Sequence, residues 1–352
     1  MSQKKTIRIG LVGAGFMGRC HANAFRGVGG LFDLPLEVEC ATLADVDAAS
    51  AKRNAALLGF NRGTGDWRTL CADPGIDLVA VTAPNALHEP IVMAALAAEK
   101  AGAVTSVGFN YLRNPLLKLT REMILGGEIG DVVSFRGRHA ESYMCDPDAP
   151  HSFRTDAAGG GAAADIGSHI VSIARFLCGP VAEVSAHCHT AHRTRPVARG
   201  AAERRPVAVD DVTNALLTFA NGAVGGLEAS WVASGRQMDL SFEVTGTKGA
   251  IAFTQERMNE LLVYADGAAP GRGGFKRIEA GPAHPPYGNF TPAGGHHLGF
   301  NDLKVIEVAE LLQAVAARGK CDTDFREAYE VQRVIEAMLE SSRARSWVKV
   351  AA

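Results

Sequence analysis

The chain has 352 residues, with 36 basic and 38 acidic side chains and a formal net charge of -2. That length accommodates two domains with separate apolar cores, and the balanced charge lacks the basic footprint of a nucleic-acid or anionic-membrane binder, leaving small molecules as the expected partners. Seven scattered cysteines without a C-x-x-C pair, no signal-peptide core and no apolar run near the ~20 residues of a membrane span set the expected location as the cytoplasm.

In chain order, residues 7–12, 17–25, 38–43, 48–58 and 78–81 alternate short apolar runs with alanine-rich helical stretches. That alternation predicts βαβ units and a parallel, doubly wound Rossmann sheet, here assigned to a domain of residues 1–111. Residues 112–352 form the second expected domain, for substrate binding and oligomerisation. Its runs at 132–139, 181–189, 213–219, 224–231 and 240–245 predict an α+β domain with a large open, mainly antiparallel sheet. Asn221-Gly222 supplies the positive φ angles of a tight hairpin. Residues 190–207, rich in Arg, Ala and Pro, read as an exposed loop with solvated arginines. Two closing helices carry the stripes Val305, Val308, Leu312, Val315 and Val331, Val334, Ile335, Met338.

Gly13-Ala14-Gly15-Phe16-Met17-Gly18 follows the strand of Ile7, Ile9 and Leu11 and opens a helix. In that context Gly13 serves the sharp turn, Gly15 the approach of backbone to a pyrophosphate, and Gly18 the close packing of helix on strand. Gly13, Gly15, Phe16, Met17 and Gly18 are therefore candidate cofactor residues. Asp45 ends the second strand, where a carboxylate accepts from the adenosine ribose hydroxyls or simply faces solvent. Its distance from the fingerprint is ascribed to a loop over 27–36. Asp45 and Asp47 together repel a 2′-phosphate, so NAD is expected and NADP disfavoured.

Further motifs are Asp66-Trp67-Arg68, Asp73-Pro74-Gly75-Ile76-Asp77-Leu78-Val79, Ala83-Pro84-Asn85-Ala86-Leu87-His88, Gly108-Phe109-Asn110-Tyr111 and the run from Gly159 to His169. Together they resemble the Gfo/Idh/MocA family of sugar and polyol dehydrogenases, over nearly the whole chain. The second half is most similar to the branch with levoglucosan and inositol dehydrogenases. The resemblance implies that Thr82, Ala83, Pro84, Asn85 and His88 lie at the end of the fourth strand beside the nicotinamide ribose, with His88 alternatively capping the helix that follows. It also implies a catalytic pair, Asp165 and His169, which are four residues apart and so share one face of a helix. Such a carboxylate orients the imidazole, and the imidazole handles the substrate hydroxyl. The family often has an Asp three residues after this His; here it is Ser172. Arg154 and Tyr287 are candidate substrate contacts, with a surface salt bridge and a mobile loop as the respective alternatives.

The family's Glu-Lys-Pro at the end of the fifth strand is absent. The chain passes from a helix over 90–98 through Glu99-Lys100-Ala101-Gly102 to an expected strand at 104–109. About one βα unit of ~25 residues is missing there, and Lys100 reads as a helix end rather than a substitute lysine. Either the protein lacks this unit or the sequence as it stands omits it; a step much longer than ~3.8 Å between successive Cα atoms of 94–104 would mark a cut. His187, His189 and His192 have no supporting carboxylates, so no metal is expected. The expected function is NAD-dependent oxidation of a sugar or polyol hydroxyl, in a homodimer or homotetramer assembled through the second domain's sheet. The alternative is a non-catalytic NAD(P)-binding sensor or scaffold that has lost the lysine.

Overall fold

The computed structural model describes residues 4–98, 103–157 and 160–350. In chain order the elements begin β1 (Lys5–Val12), α1 (Phe16–Leu31), β2 (Leu36–Ala44), α2 (Ala48–Leu58), β3 (Arg62–Thr64), α3 (Trp67–Cys71), β4 (Leu78–Val81) and α4 (His88–Ala98). There follow α5 (Pro115–Leu125), β5 (Val132–Ala140), α6 (Gly161–Asp165), α7 (Gly167–Cys178), β6 (Val181–His189), β7 (Thr194–Pro196) and β8 (Arg204–Pro206). The chain continues with β9 (Val212–Phe219), β10 (Val224–Ser230), β11 (Asp239–Gly246), β12 (Gly249–Thr254), β13 (Glu260–Ala265) and β14 (Lys276–Glu279). It closes with α8 (Phe300–Ala317), α9 (Phe325–Ala344) and β15 (Val348–Lys349). Two compact units result: residues up to Arg113 with Leu298–Phe325, and Asn114–His297 with the residues from Arg326 on.

The first unit holds a parallel sheet in the order β3-β2-β1-β4. The end of β1 is buried on both faces, with Ile9 and Leu11 on one and Gly10 and Val12 on the other, so the strand reads as a continuous apolar run. Val12, Ala44, Leu70, Cys71 and Ile91 form one core cluster beneath α3 and α4. Helix α1 runs through Gly27, Gly29 and Gly30 to Leu31. The loop expected over 27–36 is therefore corrected: a longer helix, not a loop, separates Asp45 from the fingerprint. Phe25 and Val28 hold that extension by burying themselves.

Residues 104–109 also depart from expectation, because they join no strand ladder. Val107 donates its N–H to the Thr323 carbonyl at 2.7 Å, and Thr105 Oγ1 receives the Phe325 N–H at 3.2 Å. Parallel strands pair only at ~4.8 Å, and with no neighbouring strand among the described residues the segment bonds to 323–325 through the Val107 N–H and the Thr105 hydroxyl instead. The junction at 98–102, with Lys100, includes residues outside those described.

The second unit holds a nine-stranded sheet in the order β14-β13-β12-β11-β5-β10-β9-β6-β15. All neighbours are antiparallel except β5 and β10. The Asn221-Gly222 turn joins β9 to β10 with Gly222 at φ 88°. α7 packs Ile170, Ile173, Ala174 and Leu177 against the sheet at helical spacing. Gly137 of β5 permits that contact, since a Cβ there would lie 2.7 Å from Ile170 Cγ1. Residues 190–207 are not a plain exposed loop. They form the β7–β8 ribbon, and Arg195 is fully buried, donating to the carbonyls of Met144 and Asp146 at 2.8 Å each.

Candidate functional site

The glycine turn of the first unit is built for an anion. Gly13 sits at φ 96°, donates to the Ala44 carbonyl at 2.9 Å, and would bring a Cβ to 2.9 Å from the Thr82 carbonyl oxygen. A Cβ on Gly18 would collide with the Gly13 carbonyl, so the helix can approach the strand only with glycine there. Gly15 differs: a Cβ on it would meet nothing within 4 Å. It caps α1 without a side-chain acceptor, and the first turn carries no acid. Orphan N–H groups and the positive end of the helix dipole thus border open space, which fits a dinucleotide pyrophosphate.

Thr82 ties this turn to β4, its hydroxyl donating to Gly13 O at 2.8 Å or Val12 O at 3.0 Å. The Ala83 carbonyl accepts from His88 Nε2 at 2.6 Å, and the Pro84 carbonyl from the Leu87 N–H at 2.8 Å. His88 is exposed and clamps the turn around Asn85 at the start of α4. Phe16 is 70% exposed and stacks on Phe300 at 5.8 Å, while half-buried Met17 gives its carbonyl to a His21 ring nitrogen at 3.0 Å.

Asp45 accepts from the Val46 N–H at 2.8 Å and from Asn54 Nδ2 at 2.6 Å. One lone pair per oxygen remains, enough for two ribose hydroxyls. Asn54 escaped the sequence reading because nothing in a helical stretch reveals which polar side chain turns back to a strand end. Asp47 instead caps α2, accepting from the Ser50 N–H at 2.8 Å; that bond and the Ser50 hydroxyl hold its carboxyl below the usual range.

In the second unit the helix expected to carry Asp165 and His169 is broken at Ile166, which ends α6 and caps α7. The Asp165–His169 bond anticipated from the four-residue spacing is not made. Asp165 Oδ2 accepts from the Tyr143 hydroxyl at 3.1 Å and Arg154 Nε at 3.0 Å, and these partners draw it away from the helix line. The shielding of the Tyr143 hydroxyl, then the charge of Asp165, hold its phenol well above the usual range, so it remains a donor. Arg154 also lies over the Phe153 ring at 4.6 Å. Asp210 fixes the start of α6: it accepts from the Ala163 N–H at 3.0 Å and the Thr213 hydroxyl at 2.8 Å, its carbonyl taking the Ala162 N–H at 3.0 Å. Burial raises the Asp210 carboxyl above its ordinary pKa.

Comparison with known proteins places this arrangement. Residues 7–105 match the oxidoreductase family with an NAD-binding Rossmann fold, and residues 117–252 match the GFO/IDH/MocA C-terminal domain. The chain belongs to the Gfo/Idh/MocA family. Levoglucosan dehydrogenase of Pseudarthrobacter phenanthrenivorans is 33% identical across 98% of both chains. That alignment runs over 384 positions, more than the 352 residues present here, so the relative carries residues without a counterpart in this chain. Among solved structures, levoglucosan dehydrogenase in complex with NADH and L-sorbose superposes with a TM-score of 0.95 at 33% identity, over 99% of each chain. An NAD-binding oxidoreductase from Klebsiella pneumoniae reaches 0.92 at 39% identity, also over 99% of each.

Other residues of this Gfo/Idh/MocA oxidoreductase behave differently from the sequence reading. Tyr287 is fully buried and its hydroxyl receives the His297 N–H at 3.0 Å, so in this conformation it braces the loop and presents no surface to a substrate. Lys304 is fully buried in α8 and donates to Glu307 Oε1 at 2.6 Å. Burial, then the Lys304 charge, lowers the His21 pKa to about 3. The stripe of Val305, Val308 and Leu312 gave no sign of this pair, because Lys and Glu three apart normally mark an outer helix face. His139, Glu141 and Tyr143 were likewise missed. Period-two alternation from Phe135 and Gly137 places His139 on the covered face of β5, which is the signal that could have found it.

Proposed function

We propose that this oxidoreductase uses NAD, rather than NADP, to oxidise a hydroxyl of a sugar or polyol. The observation that carries the reading is the Tyr143–Asp165–Arg154 cluster beside the helix break that presents His169. A carboxylate flanked by a phenol and a guanidinium is suited to grip vicinal hydroxyls, with exposed aromatic surface on Tyr143 for an apolar sugar face. NAD, when bound, supplies the hydride acceptor. Gly15 and the first turn of α1 hold the pyrophosphate, Asp45 the adenosine ribose, and His169 takes the hydroxyl proton. The names of the relatives, which include scyllo-inositol 2-dehydrogenase (NAD(+)) of Bacillus subtilis at 27% identity over 74% of this chain and 77% of that one, support the substrate class. The test is NADH formation from NAD with a panel of sugars and polyols. Turnover is expected, falling ~10²-fold or more in Asp165→Asn and His169→Gln.

A second reading has its own observation. The parallel sheet of the described residues ends at β4, and the sequence holds no Glu-Lys-Pro, so a chain that binds NADH and never forms it would be a sensor or scaffold. NADH binding with no turnover on any substrate of the panel would establish that reading. On either reading, Leu216, Val224 and Leu262 stand exposed on the sheet face opposite buried Leu217, Leu227 and Leu261. We propose that a second copy covers this face, giving a dimer or tetramer; a monomer by light scattering would refute it.

A further inference from the structure

His139, at the end of β5, has no part in the reaction as proposed. It is 1% exposed, with Nδ1 2.8 Å from the Ile166 carbonyl and Nε2 2.9 Å from Glu141 Oε1. A carbonyl only accepts, so Nδ1 bears a proton. An ionised carboxylate also only accepts, so a second proton sits on Nε2 or on Glu141 itself. The pair thus keeps one proton more than a neutral imidazole beside a carboxylate. The Ile166 carbonyl also receives the His169 backbone N–H at 3.2 Å, and the two imidazoles stand 5.7 Å apart. One carbonyl therefore joins His139 to the turn that presents His169. Ala229 of β10 and Leu240 of β11 flank His139 in the sheet without charge. The titratable groups set about it are Glu141 on the continuation of its own strand and His169 from α7. Next to these come Tyr143, which feels both Glu141 and Asp165, then Asp165 from α6 and Arg154.

We propose that the His139–Glu141 pair is a positioning device for His169: it fastens the turn at Ile166 and, with the extra proton on Nε2, sets a positive imidazole beside the His169 ring. The inference rests on the reading of His169 as the group that takes the hydroxyl proton. A neighbouring positive charge disfavours a second proton on His169, and only the singly protonated ring can accept one from a substrate.

Two variants separate the tether from the charge. Glu141→Gln can donate to Nε2, leaving His139 neutral at nearly unchanged volume. His139→Asn keeps a donor at the Nδ1 position and loses both the charge and the link to Glu141. Titration of the full-length protein with nitrogen-labelled histidine, followed by NMR, should show His169 titrating higher in both variants, by on the order of one pH unit. The acid limb of kcat/KM should move with it, while NADH affinity, read on the first unit, stays the same. A His169 titration unchanged in both variants overturns the proposal, and this readout needs no turnover. Full activity in His169→Gln would instead overturn the reading of His169, so the two failures are distinct.

Discussion

Acid should loosen the first unit through a single imidazole. His21 lies half-buried on α1, a ring nitrogen donating to the Met17 carbonyl, with a folded pKa of about 3 against 6.5 for the free side chain. Between those values the unfolded chain binds the proton and the folded chain does not. The stability associated with neutral His21 is therefore complete above pH 6.5 and is lost as pH falls toward 3. At 1.36 kcal/mol per unit, the loss is about 2 kcal/mol at pH 5 and about 3 kcal/mol at pH 4. His21→Asn keeps a donor for Met17 and removes the titration, so its stability should be flatter with pH by about those amounts, whatever its stability at pH 7. Urea unfolding at pH 7, 6, 5 and 4, with NADH binding marking the first unit's transition, measures the difference. Equal pH slopes in wild type and His21→Asn would refute the argument, and would mean that Lys304 and the buried setting do not keep this ring neutral.

Glycine replacements should separate binding from folding. Gly15→Ala should fold, because its Cβ meets open space, yet weaken NADH at least ~10-fold in a fluorescence titration by intruding on the pyrophosphate. Gly18→Ala should unfold the first unit at lower denaturant, because its Cβ meets the Gly13 carbonyl; equal stability of the two variants would contradict the geometry. Asp45→Ala should weaken NADH while relaxing the preference over NADPH, checked by parallel titrations. In the second unit, Asp211 is fully buried and accepts from Trp231 Nε1 at 2.6 Å and the His192 N–H at 2.9 Å, 4.0 Å from buried Arg195. Asp211→Ala orphans those donors and should cost about 3–5 kcal/mol in denaturant unfolding.

The sequence alone determined what depends on local order. Strand periodicity located β5, β6, β9, β10 and β11 to within a residue or two, because alternation reports which face of a sheet is covered. The Gly13-to-Gly18 turn was legible because Gly18 answers the Gly13 carbonyl within six residues of chain and Gly13 its own positive φ. Tertiary structure decided the rest. Whether Asp165 meets His169 or Tyr143 and Arg154 turns on a break at Ile166 that helical spacing does not reveal, where the carbonyl is taken by His139 from a distant strand. Whether residues 104–109 form a strand turns on a neighbour at pairing distance, and Thr323 takes the Val107 N–H instead. Buried Lys304, Arg195 and His139 share one reason for escaping notice: a polar residue reads as surface until its partners, set by the fold, are known.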